Sequence, residues 1–144
     1  MEKIVLNIKL DDGAFIPEYG HETDACMDLR SNCELTLKPG ERGLVTTGIH
    51  LDIPEGFEVQ IRSRSGLALK KGVCVLNAPG IIDAGYTGDI GVILINLGNE
   101  DFVVNKGDKV AQMITLPIIK TEYNVVTEIT KTKRGECCLG STGV

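Results

Sequence analysis

Short runs of β-branched and other apolar residues recur along the chain, and turn-forming residues separate them. Between the runs lie LKPGER, DIPEGF, NAPG, LGNED and NKGD, in which glycine, proline, asparagine and aspartate are typical of tight turns. Many short strands joined by such turns predict an all-β domain built as a sandwich, a barrel or a jelly roll. The runs that predict strands are KIVLNIKL, CELTL, GLVTTGIHL, FEVQIRS, VCVL, DIGVILINL, DFVV and KVAQMITLPII.

Two segments predict local structure of other kinds. SGLALKKG, residues 65–72, is rich in helix formers and predicts one short helix, with Ser65 as its N-cap and Gly72 at its end. The turn at residues 77–80 predicts a hairpin in which VCVLN folds back against GIIDAGY.

The 144 residues suffice for one domain with its own core. We expect the last strand to end near Ile129, so that residues 1–129 form a single β domain. Residues 130–144 are predicted to form a flexible C-terminal tail, because RGECCLGSTG contains three glycines and no apolar stripe that could attach it to the core.

The composition narrows the possible classes of function. A net charge of −5 argues against nonspecific nucleic-acid binding, which requires a basic surface. No apolar run approaches the roughly 20 residues of a membrane span, and MEKIVLNIKLDDG lacks the apolar segment of a signal peptide. We therefore expect a cytoplasmic protein with no nucleic-acid and no membrane partner. An odd count of five cysteines without a secretion signal predicts reduced thiols, and the lack of a C-x-x-C pair argues against a structural metal.

Three polar segments interrupt the apolar pattern. In RSRSGLA, Arg64, Ser65 and Gly66 stand at the start of the predicted helix, where unpaired N–H groups and the helix dipole favour a phosphate. A capped helix with a solvated arginine is the alternative. In NAPGIIDAGYTGD, Asp83 follows two isoleucines and is a candidate general base, or alternatively a cap for local backbone N–H groups.

The third polar segment is the tail. Arg134, Ser141 and Thr142 supply a guanidinium and two hydroxyls, which are donors that phosphate oxygens accept from. A frayed terminus is the alternative. The tail lacks the G-x-x-x-x-G-K-[ST] spacing of a Walker loop.

Five segments in a fixed order resemble the motifs of the homotrimeric dUTPase family: ACMDLRS, RSRSGLA, NAPGIIDAGYTGDI, GDKVAQMI and RGECCLGSTG, between about residues 24 and 143. The resemblance implies a jelly-roll-like β subunit in a symmetric homotrimer that hydrolyses dUTP to dUMP and pyrophosphate with Mg²⁺. It also implies active sites shared between subunits, with the tail at residues 130–144 closing over a neighbouring subunit's site.

The resemblance assigns roles to individual residues. Asp83 would orient and deprotonate the water that attacks the α-phosphorus, and Arg134 would reach the γ-phosphate. Asp28 would act on Mg²⁺ through water, since Mg²⁺ keeps several of its waters. Tyr86 would pack under the sugar and leave no room for a 2′-hydroxyl. The substrate-binding residues would be Arg64, Ser65, Gly66, Asn77, Ile82, Asp83, Tyr86, Gln112, Arg134, Leu139, Gly140, Ser141 and Thr142.

The chain departs from the family pattern in two motifs. CCLG, residues 137–140, stands where the family has Gly-Gly-Phe-Gly, so Leu139 replaces a phenylalanine that stacks on uracil. Ser63 replaces a proline before Arg64. Two alternatives therefore stand beside the hydrolase: a catalytically weak dUTP-binding regulatory relative, and a member of the dCTP deaminase group, which shares the fold.

Overall fold

A computed structural model describes residues 3–140 and 142–143. This part of the chain forms twelve strands and one short helix. In chain order they are β1 (Asn7–Leu10), β2 (Glu18–Tyr19), β3 (Met27–Arg30), β4 (Leu35–Leu37), β5 (Arg42–Thr46), β6 (Ile49–Asp52), β7 (Phe57–Arg62), α1 (Ser65–Lys71), β8 (Val73–Val75), β9 (Gly80–Ile82), β10 (Gly91–Asn96), β11 (Phe102–Val104) and β12 (Lys109–Pro117). All the strands except β2 and β3 lie in segments that the sequence predicted to be extended. The all-β prediction with one short helix is confirmed.

The strands form four antiparallel sheets. Their orders are β1-β6, β5-β10-β8, β11-β4 and β2-β3-β12-β7-β9. The long strand β12 lies at the centre of the five-stranded sheet, between β3 and β7. This sheet carries three of the residues singled out in the sequence, Asp28, Ile82 and Gln112.

Alternation along the strands fills one core from several sheets. Val59 and Ile61 of β7 face inward, beside Ala111 and Met113 of β12, while the residues between them face outward. Val92 of β10 is also completely buried and packs in the same cluster. Each buried valine, leucine or isoleucine contributes about 1.5–3 kcal/mol, so this period-two pattern fixes which strand face meets solvent.

The helix ends as predicted but begins differently. Gly72 adopts the left-handed conformation, with φ of 66°, and its N–H bonds the carbonyls of Ala68 and Leu67. The N-cap is Arg64 rather than Ser65, so that detail of the prediction is wrong. Ser65 is the first helical residue, and the nearby hydroxyl of Ser63 accepts a hydrogen bond from the Val75 N–H at 2.9 Å instead of capping the helix.

The predicted hairpin between residues 73–77 and 80–86 is wrong. Strand β8 pairs with β10, and β9 pairs with β7, so the turn between them crosses from one sheet to another. The partner strands β10 and β7 are each six residues long. Each three-residue strand thereby joins a larger sheet, whereas an isolated two-stranded hairpin is marginally stable.

The last strand ends earlier than predicted. Strand β12 stops at Pro117 instead of near Ile129, because proline has no N–H to continue a ladder. Beyond it the chain is exposed and carries large apolar side chains, including Ile119 (93% exposed), Tyr123 (88%) and Val125 (95%). The sequence of this segment is apolar enough for a strand, but among the residues that the structure describes no strand covers these side chains. The division of the chain at residue 129 stays a prediction.

Candidate active site

A cluster of charged side chains lies on the outer face of the five-stranded sheet. Asp28 of β3 is opposite Gln112 of β12, and Gln112 is in turn opposite Arg62 of β7. The Asp28 side chain is only 14% exposed. Its Oδ1 lies 3.2 Å from Arg64 Nε, and its Oδ2 lies 2.6 Å from Lys109 Nζ. We call Asp28, Arg64, Lys109 and Gln112 the Asp28 cluster.

The Asp28 carboxylate positions two cations and leaves the cluster with a net positive charge. The Arg64 guanidinium is held a second time, since its Nη1 donates to the Lys109 carbonyl at 3.1 Å. Such a fixed pair of cations suits the oxygens of a phosphate chain. Arg64 is thus held within the cluster rather than freely solvated, and its role toward a phosphate stays a prediction.

The start of α1 adjoins this cluster and is open to solvent. Ser65 and Gly66 are both exposed. A Cβ placed on Gly66 would meet nothing within 4 Å, so packing within the chain does not require glycine there.

A separate cavity of about 310 Å³ contains the candidate base. Asp83 lies at its edge, directly after β9, and Tyr86 stands beside it with its N–H bonded to the Asp83 carbonyl at 3.1 Å. The volume is at the small end of ligand pockets, and most of the wall is apolar. The lining residues are Leu44, Ile81, Ile82, Asp83, Tyr86, Asp89, Gly91 and Ile93.

Asn77 lies at the other end of β9, in the exposed turn that precedes it. A Cβ on the buried Gly80 would come 3.3 Å from Asn77 Nδ2. The strand β9 therefore carries Asn77 before it, Ile82 at its end and Asp83 immediately after it. These predicted residues share one short segment of backbone.

Within one chain, the cavity and the Asp28 cluster lie apart. The register of β7 places Ile82 opposite Val59 but Gln112 opposite Arg62. Asp83 continues beyond Ile82, so it is displaced from the Gln112 pair by four residues of β7. At 3.3 Å per residue this is about 13 Å along the strand. A carboxylate at that distance does not meet a water beside a phosphate held by Arg64 in the same subunit.

Comparison with known proteins identifies the family. The family model described as dUTPase matches residues 12–143. The chain belongs to the dUTPase family. It is 55% identical over 136 residues to a deoxyuridine 5′-triphosphate nucleotidohydrolase of Clostridium novyi (strain NT), covering 94% of this chain and 96% of that protein. It is 50% identical over 144 residues to the protein of the same name from Clostridium tetani, covering 99% of each.

Two solved dUTPases share the fold. The dUTPase of Staphylococcus bacteriophage 80alpha with dUPNHPP has a TM-score of 0.86 and 31% identity, covering 99% of this chain and 100% of that one. A dUTPase mutant from phage phi11 of S. aureus, which coordinates a structural Mg(II) ion, has a TM-score of 0.81 and 28% identity, covering 89% and 100%. The predicted jelly-roll-like fold of the dUTPase family is thereby confirmed.

The tail that carries the fifth dUTPase motif folds on itself in this single chain. Arg134 is exposed, and its Nε and Nη2 donate to the carbonyls of Cys137 at 3.0 Å and Cys138 at 3.3 Å. Leu139 is 96% exposed. Gly140 and Thr142 are likewise exposed, and Ser141 lies outside the described residues. The structure thus does not bring Arg134, Leu139, Gly140 or Thr142 to the cavity or to the Asp28 cluster.

Sequence reasoning missed Lys109, although it stands in the fourth motif. In a regular strand, residues three apart face opposite sides of the sheet. Lys109 and Gln112 would then be separated. A register shift between Lys109 and Ala111 alters this alternation, and Lys109 Nζ reaches the same Asp28 that faces Gln112. A bulge of this kind re-aims a side chain next to a site.

Sequence reasoning also missed His50, which supports the loop after Asp83. His50 Nδ1 lies 2.8 Å from the Thr87 carbonyl oxygen, and Nε2 lies 3.0 Å from Asp11 Oδ2. Both partners are acceptors, so both contacts are hydrogen bonds only when the imidazole is protonated. The bond to Asp11 and the bond to Thr87 raise the pKa of His50, and the bond from His50 lowers the pKa of Asp11.

This arrangement predicts a pH-dependent stability difference between the wild type and His50→Gln. A raised folded-state pKa gives a contribution that is fully present below the ordinary value of 6.5 and is lost as pH rises through the folded value. At low pH this contribution is lost again when Asp11 becomes protonated, at a pKa below its ordinary value. Urea unfolding at a series of pH values should show that the excess free energy of unfolding of the wild type over His50→Gln shrinks as the pH rises. His21→Gln, which removes an exposed histidine paired with Asp24, is the matched control. An advantage that is the same at every pH would contradict the assignment.

Proposed function

We propose that the protein hydrolyses dUTP to dUMP and pyrophosphate, with water attacking the α-phosphorus. The observation that carries this proposal is the pairing of Asp83 and Tyr86 at the edge of an apolar cavity in a chain of the dUTPase family. Asp83 is the base that orients and deprotonates the water, and the apolar wall of the cavity faces the nucleoside. The products place the enzyme in cytoplasmic nucleotide metabolism, where it limits uracil in DNA and supplies dUMP for thymidylate synthesis.

The working enzyme is a homotrimer whose active sites are shared between subunits. The separation of Asp83 from the Asp28 cluster supports this, because a neighbouring subunit can supply the half that one chain lacks. The apolar side chains of Ile119, Tyr123 and Val125, exposed in one chain, give the contact surface. Residues 130–144 form an arm that closes over a neighbour's site, bringing Arg134 to the γ-phosphate.

Magnesium enters as part of the substrate, as Mg–dUTP. Among residues 3–140 and 142–143, no group of three or more His, Cys, Asp or Glu side chains could hold a metal ion. Both oxygens of Asp28 face cations, so its surroundings do not fit a direct ligand. Magnesium typically binds phosphates and keeps several waters. Any role of Asp28 toward the ion is therefore through such a water, and its observed work is to hold Arg64 and Lys109.

The preference for dUTP over other nucleotides follows from two parts of the cavity, the backbone around β9 and the Tyr86 ring. The backbone around β9 offers N–H and C=O groups to the base edge, and cytosine, with its donor reversed, would leave buried groups unpaired at about 1–3 kcal/mol each. Tyr86 packs under the sugar and excludes a 2′-hydroxyl. The 2′-deoxy and uracil requirements thus depend on adjacent pieces of one segment.

A nucleotide panel tests the function. The purified protein is assayed for pyrophosphate release from dUTP, dTTP, dCTP and UTP, with and without Mg²⁺. Magnesium-dependent release from dUTP far above the other three is the expected result. Deamination of dCTP would indicate the deaminase alternative, and tight dUTP binding without release would indicate the regulatory alternative.

Leu139→Phe is predicted to raise kcat/KM for dUTP. Leu139 is almost completely exposed and covers the base only when the arm closes. An aromatic ring at this position stacks on the base, and such stacking contributes about 1–3 kcal/mol. Part of that energy is expected to appear as a gain of several-fold in kcat/KM at low dUTP concentration. Leu139→Ala is the control and should lower the value. No gain with phenylalanine would show that leucine does not limit closure.

A further inference from the structure

The loop after Asp83 folds back so that the Tyr86 ring lies against its own backbone. A Cβ added to Gly88 would lie 2.5 Å from Tyr86 Oη and 2.7 Å from Cζ, so only glycine leaves room for the ring there. The Tyr86 hydroxyl donates to the carbonyl of Asp89 at 3.0 Å. The position of the ring at the cavity is therefore set by the backbone of residues 88 and 89.

The Asp89 carboxylate fixes that backbone to the connection between β5 and β6. Its Oδ1 accepts the N–H of Gly48 at 2.8 Å and the N–H of Thr47 at 3.3 Å. Hydrogen bonds from N–H groups to an ionised carboxylate are among the stronger ones in proteins. The single carboxylate oxygen thus holds two backbone N–H groups of the connection between β5 and β6.

Thr47 and Gly48, which donate these hydrogen bonds, are held in place by their own packing. Thr47 is completely buried, and its hydroxyl donates to the Ile90 carbonyl at 2.7 Å. Gly48 has a φ of 68°, and a Cβ there would meet Asn32 Nδ2 at 2.7 Å and Ala14 Cβ at 2.9 Å. The backbone of Gly48 therefore has little freedom, and Asp89 fixes the loop to the core of the subunit.

From this chain of contacts we propose that Asp89 is a positioning residue that sets the place of Tyr86 against the sugar, and with it the preference for a deoxyribonucleotide. The inference rests on the proposed dUTP hydrolysis. Asp89 acts through Tyr86, because its carboxylate is directed to the N–H groups of Thr47 and Gly48 and its carbonyl holds the tyrosine hydroxyl.

Asp89→Ala is expected to release the loop and shift Tyr86. The kcat/KM for dUTP should fall about tenfold, which is the equivalent of about one lost hydrogen bond to a charged group. The value for UTP should stay about the same, because the room gained by the 2′-hydroxyl offsets the loss. The dUTP/UTP ratio of kcat/KM therefore drops about tenfold. Asp89→Asn keeps an oxygen that can accept both N–H groups and should retain most of the ratio.

A double-mutant cycle separates positioning from a general loss of structure. In a Tyr86→Ala background, Asp89→Ala should not change the dUTP/UTP ratio further, because the two residues act in series. Asp101→Ala removes an exposed carboxylate before β11, away from this loop, and should match the wild type in ratio and activity. Should Asp89→Ala not fold, as judged by circular dichroism and melting temperature, Asp89→Ser carries the same expectation.

The outcomes are distinguishable from a failure of the proposed function. A wild type that releases no pyrophosphate from dUTP overturns the hydrolase itself. A wild type that hydrolyses dUTP, with a folded Asp89 variant that keeps the dUTP/UTP ratio, overturns the positioning role. The positioning role is also overturned if Asp89→Ala lowers the dUTP/UTP ratio by the same factor with and without the Tyr86 side chain.

Discussion

Asp83→Asn is expected to lower kcat for dUTP hydrolysis by a factor of about 10² to 10⁴, the usual contribution of a general base. Asparagine has the same size and can still orient a water through its amide oxygen, but it cannot take the proton. The change in KM should be much smaller, because binding of the base and the phosphates depends on other groups. Initial rates of pyrophosphate release at saturating Mg–dUTP give both constants.

The substitution should leave the fold intact. Asp83 is exposed, and the hydrogen bond from the Tyr86 N–H uses its backbone carbonyl, which asparagine keeps. Asp101→Asn is the control for loss of one surface carboxylate. A rate for Asp83→Asn within tenfold of the wild type would show that another group, or hydroxide itself, activates the water.

The strands were predictable because burial follows from local alternation. In FEVQIRS, Val59 and Ile61 alternate with polar residues, and the structure buries those two and leaves their neighbours outside. Strand β3, with the sequence MDLR, was missed because two of its four residues are charged. Its inward residue, Leu29, is completely buried, while Asp28 and Arg30 lie on the outer face. A short strand with one buried residue leaves too little pattern to detect.

Pairing partners were much less predictable than the strands themselves. The turn between β8 and β9 has the composition of a hairpin, yet the two strands lie in different sheets. The partner of each strand depends on which longer strand has a free edge, and the local sequence pattern does not indicate this. The segment after Pro117 is likewise apolar in sequence, yet Ile119, Tyr123 and Val125 are exposed in the described chain.

The candidate site was predictable where one segment carries it and unpredictable where several meet. Asp83 and Tyr86 were placed together from the sequence, since a three-residue step in a turn keeps them adjacent. The ion pairs of Asp28 with Arg64 and Lys109 join three separate elements. Their assembly depends on the register of β3 against β12, including the shift near Lys109. Spacing in the sequence contains no information on that register.

Mixing two inactive variants is predicted to restore activity, if the site is shared between subunits. Asp83→Asn removes the base from the cavity, and Arg64→Ala removes a cation from the Asp28 cluster. Each variant alone should have a kcat/KM at least about a hundredfold below the wild type. In a mixed trimer, however, a subunit carrying Asp83→Asn still provides an intact Asp28 cluster, and a subunit carrying Arg64→Ala still provides Asp83.

The size of the restored activity follows from random assembly around a threefold axis. With equal amounts of the two variants, half of the cavities contain Asp83 and half of the clusters contain Arg64, so about one quarter of the sites contain both. Co-refolding from denaturant, followed by the dUTP assay, measures this fraction against wild type treated identically. Each variant refolded alone is the control. If both halves of a site came from one chain, no pairing of subunits could combine Asp83 with Arg64, and mixing would restore nothing. The amount of rescue therefore distinguishes the shared site directly from a site within one subunit, independently of how fast the enzyme is.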